Sequence, residues 1–148
     1  MKALISIATG VLIMTSPAAD AAPRPAVQHY GNPTLNGQPL PFSEAVRVGD
    51  VLYLSGQLGR GPDGKLPDGI EAQTKQTLDN IGATLKLAGL THADIVDTTV
   101  YLPDTWQQPQ VAKVLREPIS GTPTAGSVVG ARLAARAGLV ELVVTAWR

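Results

Sequence analysis

The chain has 148 residues, no cysteine, and twelve acidic and twelve basic side chains, so its formal net charge is zero. A chain with equal numbers of acidic and basic side chains has no excess of positive charge that would attract the phosphates of nucleic acid. The absence of cysteine excludes disulfide bonds and a thiol nucleophile. A chain of this length forms one domain with a single core, stabilised by packing or by contacts between subunits.

The first 21 residues have the pattern of a secretory signal peptide. Lys2 gives a positive start, residues 3–14 are apolar, and residues 19–21 (Ala-Asp-Ala) fit the small-x-small rule for a cleavage site. The apolar run is too short to span a bilayer comfortably, and no later segment resembles a membrane span. We therefore expect a secreted or periplasmic protein of about 127 residues with no membrane contact after cleavage. The alternative is a buried N-terminal helix.

An extended arm and a hairpin follow. Residues 22–40 are rich in proline, glycine and asparagine, which favours an extended arm over a helix. The domain proper, residues 41–148, opens with the alternating segment 45–48, the turn signal Gly49-Asp50 and the β-rich segment 51–55. This pattern is typical of a β-hairpin.

A long helix is predicted over residues 69–88, after a loop dense in glycine, proline and aspartate. Asp68 is the expected N-cap, with Glu71 in the capping-box position. Gly89 is expected to end the helix, with Leu90 as the apolar contact that follows it. Four apolar residues at helical spacing form the predicted buried stripe. They are Leu78, Ile81, Leu85 and Ala88.

The second half of the chain alternates strands with one short helix. Residues 96–102 are β-branched and alternating, which predicts a strand. A short helix is expected to start at Pro109 and to stop before Pro118. Strands are predicted at 127–133 and 139–147. The order β-β-α-β-α-β-β indicates an α+β domain, or a split α/β sandwich, with helices on one face of one sheet.

Most familiar catalytic patterns are missing. His29 and His92 are the only histidines, and neither has a carboxylate at a useful spacing, so we expect no metal site. There is no Gly-x-Ser-x-Gly nucleophile elbow. The segment GRGPDG, residues 59–64, lacks the Gly-Lys-Ser/Thr ending of a phosphate loop and is interpreted as a turn.

Glu141 is the strongest candidate for chemistry. It is the only charged residue between Leu139 and Trp147, and on a strand it would share a face with mostly apolar neighbours. Desolvation there would raise its pKa, which suits acid/base work. The alternatives are an exposed or edge position, or an ion pair with Arg132 or Arg136.

Several segments together resemble the Rid (YjgF-like) proteins, a family of enamine and imine deaminases and their relatives. The resemblance covers residues 41 to 147 and is carried by four segments in the same order and at the same spacing. These are FSEAVRVGDVLYLSGQL (42–58), QTLDNI (76–81), AGLTHADIVDTTVY (88–101) and ARL (131–133), followed by the final strand.

The resemblance implies a chorismate-mutase-like α+β fold that assembles as a homotrimer, with ligand sites in clefts between subunits. Active members hydrolyse 2-imino or enamino acids to 2-keto acids and ammonia, without metal or cofactor. In them an arginine binds the substrate carboxylate through a bidentate pair. A glutamate and backbone groups hold the attacking water, so that orientation matters more than a strong nucleophile.

Carried over to this chain, the carboxylate-binding arginine falls on Ala125. Glu141 takes the place of the water-holding glutamate if one residue is inserted in the 134–138 turn. Phe42 replaces an aromatic residue that is often tyrosine, Ser55 and Gly56 match, and Gly126 and Ser127 follow the altered position. The segment 105–126 is also about four residues shorter than in the deaminases.

Two functions remain open on this basis. The first is an exported protein that binds a small, less acidic ligand in an inter-subunit cleft, without efficient deamination of imino acids. The second is a deaminase or related hydrolase of altered specificity that uses Glu141. Rescue of the missing cation by Arg60 or Arg136, both in loops, is open but has no support in the sequence.

Overall fold

The computed structural model of this chain describes residues 24–31, 33–35, 37–119 and 124–148. The predicted signal peptide and residues 121–123 of the segment around Ala125 lie outside the described residues. Within the described part, no helix has both the length and the apolar character needed to cross a bilayer.

Nine strands and two α-helices are found in the described residues, together with two short 3₁₀ helices at His92–Asp94 and Thr105–Gln107. The helices are α1 (Ile70–Leu87) and α2 (Gln108–Leu115). The strands are β1 (Val27–Tyr30), β2 (Thr34–Leu35), β3 (Gln38–Pro39), β4 (Ala45–Val48), β5 (Val51–Leu54), β6 (Gln57–Leu58), β7 (Ile95–Leu102), β8 (Ala125–Gly130) and β9 (Glu141–Trp147).

Seven strands form one mixed sheet in the order β1-β4-β5-β9-β7-β8, with β6 also paired to β9. Only β7 and β8 run parallel among these pairs; the others are antiparallel. The strands β2 and β3 form a separate two-stranded ribbon. The α+β class with one mixed sheet and two helices is confirmed.

The core lies between the helices and one face of the sheet. Burial alternates along β9, where Leu142, Val144 and Ala146 are buried while the residues between them are partly exposed. Val111 of α2 and Ile81 of α1 belong to the same buried cluster. The opposite face of the sheet, here called the open face, carries no helix in the described part of the chain.

The structure confirms the predicted C-terminal end of α1 but not its predicted N-cap. The predicted stripe is buried, and Gly89 adopts a positive φ of 70° while Leu90 N–H donates to Leu85 O at 3.0 Å. This is the Schellman ending that the sequence predicted. The predicted N-cap was wrong: Gly69 caps α1 with φ 84°, and no side chain bonds to the cap, so Asp68 and Glu71 form no capping box. Glycine adopts that φ without strain, which moves the helix start one residue later.

Other boundaries moved by one to three residues. The strand predicted at 127–133 is β8 at 125–130, because β8 is aligned by its parallel pairing to β7, from Asp97↔Ala125 to Leu102↔Gly130. Arg132 therefore lies beyond the strand. The last strand begins at Glu141 instead of residue 139, and α2 begins one residue before Pro109. In the predicted arm, β1 pairs with β4 and so extends the main sheet.

Candidate functional site

Glu141 opens β9, an interior strand of the sheet. It lies opposite Leu58 of β6 on one side and Tyr101 of β7 on the other. Burial raises the pKa of the Glu141 carboxyl above its usual value of 4.5. Because β9 is paired on both sides, Glu141 does not lie on an edge strand. The ion pairs with Arg132 or Arg136 are not seen, because no described cation pairs with Glu141. A half-buried carboxyl without a counter-charge suits proton transfer or the holding of a water.

Gly56 lies directly against this carboxyl. A Cβ built at Gly56 would overlap with Oε1 of Glu141 and would lie 3.0 Å from its Cδ. The Glu141 carboxylate therefore packs directly against the backbone of Gly56. Glycine is needed here for space, since its φ is not positive.

Ser55 is held in place by three hydrogen bonds to its neighbours. Its N–H donates to Glu44 O at 2.9 Å, and its Oγ donates to Ser43 O at 2.7 Å. Its own carbonyl accepts from Nε2 of Gln57 at 3.2 Å. The hydroxyl proton of Ser55 is thus engaged, while its oxygen lone pairs can still accept from a ligand.

A pocket of about 600 Å³ lies beside Ser55, between the arm and the hairpin of β4 and β5. Phe42 lines it and is 53% exposed. His29 lines it too, and its Nδ1 shares a 3.0 Å hydrogen bond with Ser43 Oγ. The sequence alone does not place His29 here, because the arm reaches this pocket through the pairing of β1 with β4. We call Phe42, Ser55, Gly56 and Glu141 the hairpin group.

Ala125, Gly126 and Ser127 lie on β8, the edge strand, and are all exposed. Here they are called the edge-strand group. Ala125 is opposite Asp97 of β7, and paired strands lie about 5 Å apart, so an acidic residue neighbours the position expected to lack a guanidinium. This neighbour adds like-charge repulsion against an anionic ligand on that side of β8.

A groove of about 490 Å³ runs between β8 and α2. Gly126 and Ser127 line it, and so does Arg116, which follows the last residue of α2. No pattern in the sequence singles out Arg116. The two loop arginines lie elsewhere: Arg60 donates from Nη1 to Gly64 O at 2.9 Å, and neither Arg60 nor Arg136 lines the groove or the pocket.

One copy of the chain does not bring the two groups together. Along β7, the partner of Ala125 is Asp97 and the partner of Glu141 is Tyr101, four residues away. That offset is about 13 Å along the strand, and β7 itself lies between β8 and β9. A ligand of a few atoms cannot touch both groups within one copy.

The described residues contain no cluster of three or more side chains able to hold a metal ion. His92 is used in packing: its Nε2 lies 2.9 Å from Leu78 O, and its ring covers Gly82 on α1.

The profile of the family described as endoribonuclease L-PSP matches residues 37–148, more than half of the chain. A RutC family protein of Saccharolobus solfataricus is 36% identical over 108 residues, which cover 72% of this chain and 86% of that protein. The 2-iminobutanoate/2-iminopropanoate deaminase of Bos taurus is 47% identical over 66 residues, or 43% of this chain and 48% of the deaminase. The chain thus spans about half the length of the first curated relatives it matches.

Solved structures agree with these sequence matches. RidA from an Antarctic Psychrobacter is 30% identical with a TM-score of 0.71, covering 82% of this chain and 98% of that one. A Yersinia pestis protein of the conserved Rid family, whose function is unknown, is 33% identical with a TM-score of 0.74. That match covers 83% of this chain and all of the other.

Proposed function

This chain belongs to the Rid (YjgF-like) family, the family described as endoribonuclease L-PSP, and from that membership we propose that it is a small-molecule-binding protein with little imino-acid deaminase activity. Its ligand would occupy a cleft between two copies of the chain in a homotrimer. The observation that carries this proposal is the side chain at position 125, a methyl group on a residue that pairs with Asp97 of β7.

The separation of the hairpin group from the edge-strand group supports a cleft between copies. A complete site needs the hairpin group of one copy and the edge-strand group of the next. The open face of the sheet supports the same assembly, because it exposes large apolar side chains. Tyr53 is 52% exposed, Trp147 57% and Val129 38%. Exposed apolar surface of this kind marks interaction sites.

The weak deamination follows from the missing guanidinium. A hydrogen bond to a charged group contributes about 1.5–3 kcal/mol, so losing one alone weakens the hold on a carboxylate by about ten- to 150-fold. The loss of orientation lowers the rate further, because water must attack an imine carbon held at a fixed place. Asp97 would repel the substrate carboxylate in addition.

The second candidate function is a hydrolase of altered specificity, and Glu141 favours it. Its half-buried carboxyl has a raised pKa, pairs with no described cation, and would hold a water and accept its proton. The water oxygen would add to the imine carbon, Glu141 would pass the proton to the nitrogen, and the C–N bond would break to release ammonia and a 2-keto acid. No metal or cofactor is needed for this chemistry, because the imine is already electrophilic.

Export is a further part of the proposal. The pattern of residues 1–21 supports a signal peptide, so the mature protein would begin at Ala22. Mass spectrometry of protein released from the periplasm of an expressing bacterium tests this directly. A mass that retains residues 1–21 in the released protein would contradict export by cleavage.

The experiment that tests the main proposal is a comparison of turnover. Purified protein and the bovine 2-iminobutanoate/2-iminopropanoate deaminase are given 2-iminobutanoate under the same conditions, and light scattering records the mass in solution. We expect a trimer with kcat/KM at least tenfold below that of the deaminase. Equal turnover would contradict the binding role, and a monomer would contradict the shared cleft.

A further inference from the structure

The groove between α2 and β8 is built for a ligand with an apolar body. Its volume of about 490 Å³ is in the usual range for small-molecule sites. Most of its walls are apolar. They are formed by Val100, Val111, Ala112, Leu115, Ile119 and Val128. A three- or four-carbon imino acid would leave much of this space to water.

Arg116 is the only charged side chain among the described residues that line this groove. Its guanidinium forms no hydrogen bond or ion pair with another described residue. Lys113, one turn earlier, behaves differently, because its Nζ pairs with Glu71 on α1 at 3.3 Å. The helix dipole favours a cation at the C-terminal end of α2. It does not explain why the side chain of Arg116 lines a cavity.

We propose that this groove binds carboxylic acids whose apolar body is larger than that of a four-carbon imino acid, and that Arg116 is the residue that binds the carboxylate. This inference goes beyond the proposed function, because the groove is built by one copy of the chain and lies on the face of the sheet that the helices cover. Arg116 presents a fork of donors that fits a carboxylate bidentately, and the apolar walls take the rest of the ligand. Ala125 and Asp97 lie on the open face of the sheet, whereas Arg116 lies in the groove on the face that the helices cover, so Arg116 does not replace the cation missing at position 125.

Two series of probes test the proposal by isothermal calorimetry on the full-length mature protein. The first compares 3-phenylpropanoate with its neutral amide, 3-phenylpropanamide. We expect the acid to bind at least tenfold more tightly than the amide. The second compares propanoate, pentanoate and heptanoate. We expect a gain of up to about fourfold in affinity for each added CH₂.

Variants test whether Arg116 supplies the charge that binds the carboxylate. Arg116→Gln should weaken binding of 3-phenylpropanoate about ten- to 150-fold and leave binding of the amide unchanged. Arg116→Lys should retain part of the affinity, since the charge remains but the bidentate geometry is lost. Arg136→Gln is the matched control, because Arg136 is an exposed loop arginine outside the groove, and it should bind as the wild type does.

The outcomes separate this inference from the broader proposal. If Arg116→Gln leaves acid binding unchanged, or if the acid binds no better than the amide, the assignment of Arg116 is overturned while the small-molecule role stands. If neither the acids nor the amide bind, the groove is not a ligand site, and the turnover comparison still tests the cleft between copies. Affinity that is flat from propanoate to heptanoate would overturn the apolar part of the site.

Discussion

Replacing Ala125 with arginine restores the side chain whose absence carries the proposed function. Ala125 is exposed on an edge strand, so a long side chain can be added there without displacing the core. A guanidinium that binds the carboxylate of 2-iminobutanoate through one charged hydrogen bond should stabilise the bound substrate by about 1.5–3 kcal/mol. This corresponds to about ten- to 150-fold in kcat/KM.

Asp97 lowers that gain, because it lies opposite position 125 and can pair with the new arginine. Exposed ion pairs contribute about 0.2–1 kcal/mol, so the competition would remove up to about fivefold. The double variant Ala125→Arg with Asp97→Asn should therefore exceed Ala125→Arg alone by up to that factor.

The assay is the rate of ammonia or 2-ketobutanoate release from 2-iminobutanoate, with the mass of each variant checked by light scattering. Ala125→Gln is the control for size without charge, and it should not raise kcat/KM. The reasoning is refuted if both arginine variants form the wild-type oligomer and hydrolyse 2-iminobutanoate no faster than wild type.

Three further substitutions test single contacts. Because burial raises the pKa of Glu141, the folded protein binds the Glu141 proton more tightly than the unfolded chain does, so the contribution of Glu141 to stability falls as pH rises above about 4.5. The melting temperature of Glu141→Gln should therefore rise relative to that of wild type as pH increases above this value. A difference in melting temperature that does not change with pH would contradict the desolvation of Glu141. Gly56→Ala should displace the Glu141 carboxylate and abolish any Glu141-dependent hydrolysis, while the circular dichroism spectrum stays unchanged. In a Glu141→Gln background, Gly56→Ala should lower the rate of hydrolysis no further. An additive loss of rate in the double variant would contradict the contact between Gly56 and Glu141. Thr98 is 5% exposed and its Oγ1 has no hydrogen-bond partner among the described residues, so Thr98→Val should raise the free energy of unfolding by about 1 kcal/mol or more in urea denaturation. The control Thr74→Val should give no gain in the free energy of unfolding, because Thr74 Oγ1 donates to Ile70 O at 2.7 Å. A loss of stability in Thr98→Val would mean that the Thr98 hydroxyl has a hydrogen-bond partner.

Features set by neighbouring residues were predictable from the sequence. The buried stripe of α1 depends on spacing within one helix, and its end depends on Gly89 and Leu90, so both predictions are confirmed. The hairpin of β4 and β5 depends on a two-residue turn and is confirmed as well. The start of α1 was missed by one residue because Asp68 and Gly69 both offer a cap, and a local pattern does not rank them.

Features set by distant pairing were not predictable. The ends of β8 follow from parallel pairing to β7, which lies more than twenty residues earlier in the chain. The proximity of Asp97 to Ala125 follows from the same pairing. His29 reaches the pocket beside Phe42 through β1, and Arg116 lines the groove because α2 and β8 form its two walls. The residues proposed for the site from the resemblance, Glu141 included, stay predictions until a ligand is seen.

A crystal structure of the protein is the most direct test of a cleft that two copies of the chain build together. We expect the hairpin group of one copy to face the edge-strand group of the next, with no cation beside Ala125. Copies whose hairpin and edge-strand groups do not meet, or a cation of either copy beside Ala125, would contradict the account.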